Sequence, residues 1–235
     1  MKKLLFILLA FMCSTSYGQF TKGTRTVGLS LTSFNFSSLN STYDVSQIGS
    51  STTTNNNLNI SITPSMGWFI SEKVLVGGNL NFNIGNTKYT AGNNVTRKGN
   101  SYGVGFGGFG RYYLGSTNFM PYAQASLGAG IGSGKNTWDE VYTNYTEKGE
   151  GNQKSIINVS AGIGLGLTKM INKNTGFDIN LGYQFTNTTF NYSSVSNVQF
   201  TTPPSSEVRK SEYKYTGVNN GVSFSIGFLV FLDPK

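Results

Sequence analysis

The clearest pattern in this chain is an alternation of apolar and polar residues between Leu58 and Ile70. Apolar residues or proline occupy every second position of this stretch, and Asn, Ser, Thr and Gly occupy most positions between them. Because successive side chains of a strand point to opposite faces, the pattern predicts a strand with one apolar face and one uncharged polar face. Such a strand is unlike those of an ordinary soluble sheet, whose polar face usually carries charges.

The same alternation recurs along the whole chain and predicts eight strands. They cover residues 25–36, 58–70, 74–89, 102–114, 119–133, 157–169, 177–192 and 218–232. The short connections are 71–73, 115–118 and 170–175, and the long ones are 37–57, 90–101, 134–156 and 193–217. Each strand reaches the ~9–11 residues that a tilted strand needs to cross a bilayer. The prediction is an all-β fold, an eight-stranded antiparallel up-and-down transmembrane β-barrel with short periplasmic turns and long extracellular loops.

The first residues have the features of a secretory signal peptide. A basic start precedes the apolar run Leu4–Met12, which is too short to span a bilayer as a helix. Small residues then offer a cleavage site before Gln19. We therefore predict a signal peptide at residues 1–18 and a barrel domain at 19–235.

The single cysteine leaves an alternative open for this leader. A lipoprotein signal would end at Cys13, but Met12 directly before it makes a poor lipidation site. Cleavage before Gln19 instead leaves a mature chain without cysteine. That chain can form no disulfide, thiol nucleophile or thiolate metal site.

The composition fits a protein whose polar residues face inward and whose apolar residues face outward. Charged residues make up only 12% of the chain, about half the fraction of a typical soluble domain. Aromatic residues make up 14%, which argues against disorder. The net charge is +8 for the whole chain and +6 once Lys2 and Lys3 of the predicted signal peptide are removed, which leaves 16 basic and 10 acidic residues. These charges are scattered through the predicted connecting segments with acidic residues among them, so we predict no nucleic-acid partner. Solvated loops explain these charges, and attraction to anionic lipid head groups or polysaccharide is the alternative.

Small and neutral polar residues dominate the predicted inward face. Glycine-rich stretches there produce spacings like GxGxxG, but a dinucleotide-binding fold would need a following helix and a parallel sheet. We expect these glycines to permit the tight curvature of a small barrel and to empty part of its lumen. They are Gly103, Gly105, Gly107, Gly128, Gly130, Gly132, Gly162, Gly164 and Gly166.

Two charged residues, Arg111 and Asp178, stand out on this inward face near the short turns. Phe109, Tyr113 and Tyr122 fall in the same layer of the predicted barrel. Because a buried charge must be paired or hydrated, we predict that Arg111 lies in a polar plug that narrows the periplasmic end, with Asp178 as its partner. The alternative is that both charges are simply hydrated at the rim.

Aromatic residues near the strand ends predict two girdles at the membrane interfaces. Their alternative place is the core of a soluble sandwich, but two clusters at matching depths favour girdles. The predicted girdle residues are Trp68, Tyr112, Phe119 and Phe177 near the short turns, and Tyr89, Tyr102 and Tyr192 near the long loops.

Catalysis has little support in this sequence. The chain has no histidine, and a serine nucleophile normally needs a base beside it. No metal-ligand spacing is apparent. We therefore predict no enzymatic activity, no catalytic residue, no cofactor and no metal. An acid-only site among the loop residues Asp44, Asp139 and Glu140 is the alternative.

The chain resembles the small outer-membrane β-barrel family in three features. These are its predicted signal peptide, its alternation of short and long connections, and its alternating, aromatic-rich last strand at 221–232. More narrowly, the chain looks like the "outer membrane protein beta-barrel domain" proteins of Bacteroidota. The resemblance implies a place in the cell outer membrane, contact with its lipids, and recognition by the barrel-assembly machinery. Residues 233–235 depart from members that end on the aromatic itself.

Three functions follow as hypotheses. The first is a non-enzymatic integral barrel with a structural role in the envelope, or one whose loops bind surface glycans or proteins. The second is a narrow porin-like channel for water, ions or small solutes through a lumen lined by Gly, Asn and Ser. The third, a soluble lipid carrier in the periplasm, needs apolar residues facing inward, which is opposite to the predicted arrangement.

Overall fold

The computed structural model describes residues 20–45, 49–91, 94–115 and 118–232, with side chains except those of 33–35, 42–45 and 49–52. The predicted signal peptide, Cys13 and residues 233–235 lie outside the described residues. Eight strands account for most of the described chain. They are β1 (Arg25–Val45), β2 (Gly49–Phe69), β3 (Val74–Ala91), β4 (Val95–Tyr113), β5 (Phe119–Val141), β6 (Tyr145–Met170), β7 (Thr175–Thr201) and β8 (Pro204–Leu232).

The strands form a closed antiparallel barrel in chain order. Each strand pairs with the next, and β8 returns to pair with β1. This confirms the all-β, up-and-down fold predicted from the alternation. No helix among the described residues is long and apolar enough to cross a membrane.

The strands are longer than predicted, because the long connections are themselves β-hairpins. The β7–β8 ladder, for example, continues from Ser193↔Glu212 to Thr201↔Pro204, through a segment that we predicted to be a loop. Its Ser, Thr and Asn residues have a loop-like composition, yet they continue the antiparallel ladder between the two strands. We call the end with the three short turns the short-turn end and the opposite end the hairpin end.

An apolar band surrounds the outside of the barrel. On β4 it runs from Tyr112, which is 49% exposed, to Tyr102, which is 65% exposed. Ten residues of a strand tilted by about 40° rise roughly 26 Å, close to the ~25 Å apolar band of outer-membrane barrels. Above Tyr102 the exposed positions become polar, as at Lys98 and Asn100. The long hairpins therefore project beyond the apolar band.

Closure of the ring is uneven along the barrel axis. The β1–β8 pairing covers Arg25–Leu31 and Ile226–Leu232, all at the short-turn end. The β7–β8 pairing instead runs the whole length of both strands. The sheet is therefore a complete ring at the short-turn end and an open curl at the hairpin end.

Candidate functional site

The interior of the barrel at the short-turn end is crossed by a buried ion pair. Alternation on β4 turns Arg111 inward, and alternation on β7 turns Asp178 toward it. The two guanidinium nitrogens lie 3.1 and 3.2 Å from the two carboxylate oxygens, so the contact is bidentate. The side chains are only 11% and 4% exposed.

Neighbouring groups satisfy the remaining hydrogen-bonding capacity of this pair. Tyr122 Oη donates to Asp178 Oδ2 at 2.9 Å, and Thr168 Oγ1 donates to Asp178 Oδ1 at 2.6 Å. Arg111 Nε donates to Gln124 Oε1 at 2.6 Å, and the guanidinium lies 4.4 Å from the ring centroid of Tyr122. Each charge is both paired and hydrogen-bonded, so the buried layer contains no uncompensated charge.

An apolar cluster closes the interior beside this polar layer, at the very end of the barrel. Phe20, from the segment before β1, stacks between Phe69 and Phe231. Its ring centroid lies 4.5 Å from that of Phe69 and 4.4 Å from that of Phe231. Tyr113 lies 5.6 Å from Phe69 and 5.4 Å from Tyr122, which links the cluster to the ion pair. We call this the basal cluster; its members are Phe20, Phe69, Leu75, Tyr113, Met120, Tyr122, Met170, Leu229 and Phe231.

The structure brings together the five residues predicted to form a plug, all on inward strand faces. Phe109 packs against the basal cluster, with its ring centroid 5.3 Å from the Arg111 guanidinium. The apolar part of this region was not predicted from the sequence. Its signal was present at Phe69, where an apolar residue interrupts the polar phase of the strand at its end. The same change of phase occurs at Leu75 and Met120.

Above the ion pair the lumen is polar and contains a cavity of about 690 Å³. Asn81 Nδ2 donates to Ser61 Oγ at 2.8 Å and to Thr63 Oγ1 at 2.9 Å. Thr32 contributes its hydroxyl to the same group, 3.0 Å from that of Thr63. Glycine lines much of the opposite wall, as at Gly128. The inner cavity is thus lined by neutral hydrogen-bonding groups and backbone.

A second cavity of about 840 Å³ lies between the projecting hairpins. Four aromatic side chains line it, together with both signs of charge and several amides and hydroxyls. We call it the outer cavity. Its aromatic residues are Tyr89, Trp138, Tyr142 and Tyr192, and its charged residues are Arg97, Lys98, Glu140 and Glu147.

A hydrogen-bonded trio stands on one wall of the outer cavity. Arg97 Nε donates to Glu140 Oε1 at 2.6 Å, and Tyr142 Oη donates to Glu140 Oε2 at 2.6 Å. Burial alone would raise the pKa of Glu140, but the hydrogen bonds from Arg97 and Tyr142 outweigh it and lower that pKa. The hydrogen bond to Glu140 raises the pKa of Tyr142 to about 12. Glu140 is therefore a fixed carboxylate at neutral pH.

Glycines let two aromatic rings lie against the cavity wall. The Trp138 ring covers Gly149, and the Tyr192 ring covers Gly151, in positions that any Cβ on these glycines would fill. Trp138 Nε1 also donates to a Glu147 oxygen at 3.3 Å. Both rings are therefore held against the sheet while they line the cavity.

Two predicted girdle residues, Tyr89 and Tyr192, are corrected by the structure. Both lie on the inward phase of their strands and line the outer cavity, so they do not face outward. The prediction erred because it used their depth along the strand and not their phase. The other five girdle residues occupy outward positions, with Tyr102, Trp68, Tyr112 and Phe119 exposed and Phe177 half-buried against Phe228.

Of the three predicted loop acids, two are ion-paired on strands. Asp139 lies 2.9 Å from Lys148 Nζ, and Glu140 is held by Arg97. The side chain of Asp44 lies outside the described residues. Asp139 and Glu140 are consecutive on β5 and so point to opposite faces of the sheet.

The solved structures that resemble this chain include several outer-membrane proteins. The outer membrane protein OprG from Pseudomonas aeruginosa is 15% identical, with 92% of this chain and 99% of that chain covered and a TM-score of 0.40. The outer membrane protease OmpT from Escherichia coli is 10% identical, with coverages of 94% and 100% and a TM-score of 0.40. The outer membrane protein AlkL is 14% identical, with coverages of 94% and 94% and a TM-score of 0.31.

These likenesses are too distant to carry an argument about the activity, ligand or partners of this chain. No family model matches the sequence, and neither does any curated protein.

Proposed function

We propose that this chain is a non-enzymatic integral barrel of the outer membrane, with its short-turn end toward the periplasm and its hairpins at the cell surface. In this proposal the barrel does not conduct. It anchors the hairpins, which take part in surface binding or in the structure of the envelope. Outer-membrane lipids and the barrel-assembly machinery are its expected partners, as for the Bacteroidota-type barrels that the sequence resembles.

The observation that carries the proposal is the closure of the lumen at the short-turn end. The bidentate Arg111–Asp178 pair spans the interior, and the basal cluster fills the space beside it. An ion crossing this region would have to displace tightly packed aromatic rings. Such an arrangement favours an anchor over a pore.

Planar-bilayer recording of the purified full-length protein tests the proposal. The wild-type protein should give no single-channel steps above background. A Phe20→Ala/Phe69→Ala variant, which removes two stacked rings from the basal cluster, supplies the matched comparison and should conduct more often. Heat-modifiable gel migration and detergent-dependent solubility would verify for both proteins that a folded membrane barrel was measured.

The narrow channel is the second candidate, and the polar inner cavity of about 690 Å³ favours it. This candidate requires the basal cluster to open in the membrane. Regular, reproducible steps from the wild-type protein, with little gain in the double variant, would support the channel and overturn the anchor.

A further inference from the structure

Aromatic rings held against the sheet, hydrogen-bonding groups and a cation that is already ion-paired meet in the outer cavity. From this combination we infer that the outer cavity is a binding site for a neutral saccharide. The inference rests on the proposed function, since it needs the hairpin end to face the outside of the cell. It assigns the surface-binding role to one cavity and one class of ligand.

Two aromatic rings of the outer cavity are held in fixed orientations. Trp138 and Tyr192 lie against Gly149 and Gly151, so their orientation is set before any ligand arrives. Tyr192 is also packed on Tyr213, with ring centroids 4.8 Å apart. Flat, immobilised rings offer apolar surface at low entropic cost. The faces of a pyranose ring, which carry C–H groups, are suited to such surfaces.

The outer cavity also presents hydrogen-bonding groups in fixed positions. The Arg97–Glu140–Tyr142 trio presents donors and acceptors whose positions are fixed by contacts of 2.6 Å. Asn55 and Asn136 add amide groups to the lining. A site with a few fixed polar groups and aromatic walls is the usual composition of a small-molecule pocket. The hydroxyl groups of a sugar can both donate and accept, so they match this mixed set.

The charged residues of the outer cavity favour a neutral ligand over an anionic or an apolar one. Arg97, Glu140 and Glu147 lie on the inward phase of their strands, whereas Lys98 lies on the outward phase of β4 beside Asn100. The inward lining therefore carries one guanidinium and two carboxylates. Arg97 is also already engaged by a carboxylate of this chain. A polyanion would therefore meet more carboxylates than cations, and a purely apolar ligand would leave the charged trio desolvated. A neutral polar ligand with apolar faces avoids both costs.

Tryptophan fluorescence of the full-length protein in detergent tests the inference. The chain has two tryptophans; Trp68 faces outward, so a Trp68→Phe background leaves Trp138 as the single reporter in the cavity. Maltoheptaose and cellohexaose serve as neutral probes, a sulfated oligosaccharide as the anionic probe and 1-naphthol as the apolar probe. We expect saturable changes in Trp138 fluorescence with at least one neutral probe and none with the other two.

Two variants in the same background assign the binding to the cavity. Tyr192→Ala removes one ring and should weaken binding about tenfold. Tyr215→Ala is its matched control, because Tyr215 stacks on Phe190 at the same end but does not line the cavity. It should leave the affinity unchanged.

Several results would overturn the inference. They are saturation by the anionic or apolar probe alone, no response to either neutral probe, or equal effects of the two tyrosine variants. The proposed function fails by a different result, regular conductance of the wild-type protein. If the barrel is folded and does not conduct but binds neither neutral probe, the inference of a saccharide site is wrong and the proposed anchor function is unaffected.

Discussion

The two ends of this barrel use the same chemical groups in opposite environments. At the short-turn end the Arg111–Asp178 pair has side chains only 11% and 4% exposed. At the hairpin end the Lys148–Asp139 pair is 70% and 50% exposed. Burial removes water from the first pair and leaves it around the second, so only the first should be strongly coupled to folding. The interior is closed at one end, and the charged side chains of the other end are exposed to solvent.

Removing one charge from the buried pair should have the largest effect on stability. Asp178→Ala leaves the Arg111 guanidinium buried without a counter-charge, which costs about 3–5 kcal/mol of unfolding free energy. Urea unfolding in detergent, followed by the heat-modifiable gel shift, would measure the loss.

The matched change at the hairpin end is Asp139→Ala, which breaks the exposed pair with Lys148. It should cost less than about 1 kcal/mol, since solvent screens an exposed pair and side-chain entropy offsets the attraction. Equal losses for Asp178→Ala and Asp139→Ala would mean that water reaches Arg111, and the proposed closure would fail.

A tyrosine hydroxyl donates to a carboxylate at each end, which allows a finer comparison. Tyr122→Phe removes the buried 2.9 Å bond to Asp178 and should cost about 1.5–3 kcal/mol, as for hydrogen bonds to charged acceptors. Tyr142→Phe removes the 2.6 Å bond to Glu140 from a tyrosine that is 40% exposed. Water can replace the lost donor there, so we expect a cost below about 1 kcal/mol. The same urea series would measure both, and the reverse order would contradict the contrast.

The sequence predicted the barrel well because the physical rule behind it is local. Alternation with period two assigns each residue to one face, as from Leu58 to Ile70, and lipid forces the sheet to close. The same rule identified Arg111 and Asp178 as inward charges near one end. Their bidentate geometry depends on the tilt and stagger of β4 and β7, which a single sequence does not specify.

The outer cavity escaped prediction for a different reason. Composition made residues 134–156 look like a loop, so Trp138 and Glu140 had no assigned face. Arg97, which binds Glu140, comes from β4, and Tyr192, which lines the same cavity, comes from β7. The strand pairing continues past the apolar band into the long hairpins, and the alternation of faces continues with it. This continuation places these side chains on one concave surface. The clue was the presence of two aromatic residues, Trp138 and Tyr142, on the phase of β5 and its end that carries Gly134 and Asn136 before them.

The smallest expected effect is a pH dependence confined to the hairpin end. The pKa of Glu140 lies below its ordinary value of 4.5, so the folded chain holds this proton less tightly than the unfolded chain. The stabilisation is therefore fully present above about pH 4.5 and is lost as the pH falls through the lower folded value. Arg97 is 60% exposed, which limits the effect to about 1 kcal/mol or less.

Hydrogen exchange of the β5–β6 hairpin would isolate this contribution. Arg97 and Tyr142 keep their protons throughout the acid range because both of their pKa values are raised, Tyr142 to about 12. Glu147 faces Glu140 across the ladder, so a comparison of wild type with Glu140→Gln isolates the contribution of Glu140. The wild type should exchange more slowly than this variant at pH 7, and the difference should vanish at low pH. A difference that persists into strong acid would show that packing, rather than the Arg97 contact, holds the hairpin end together.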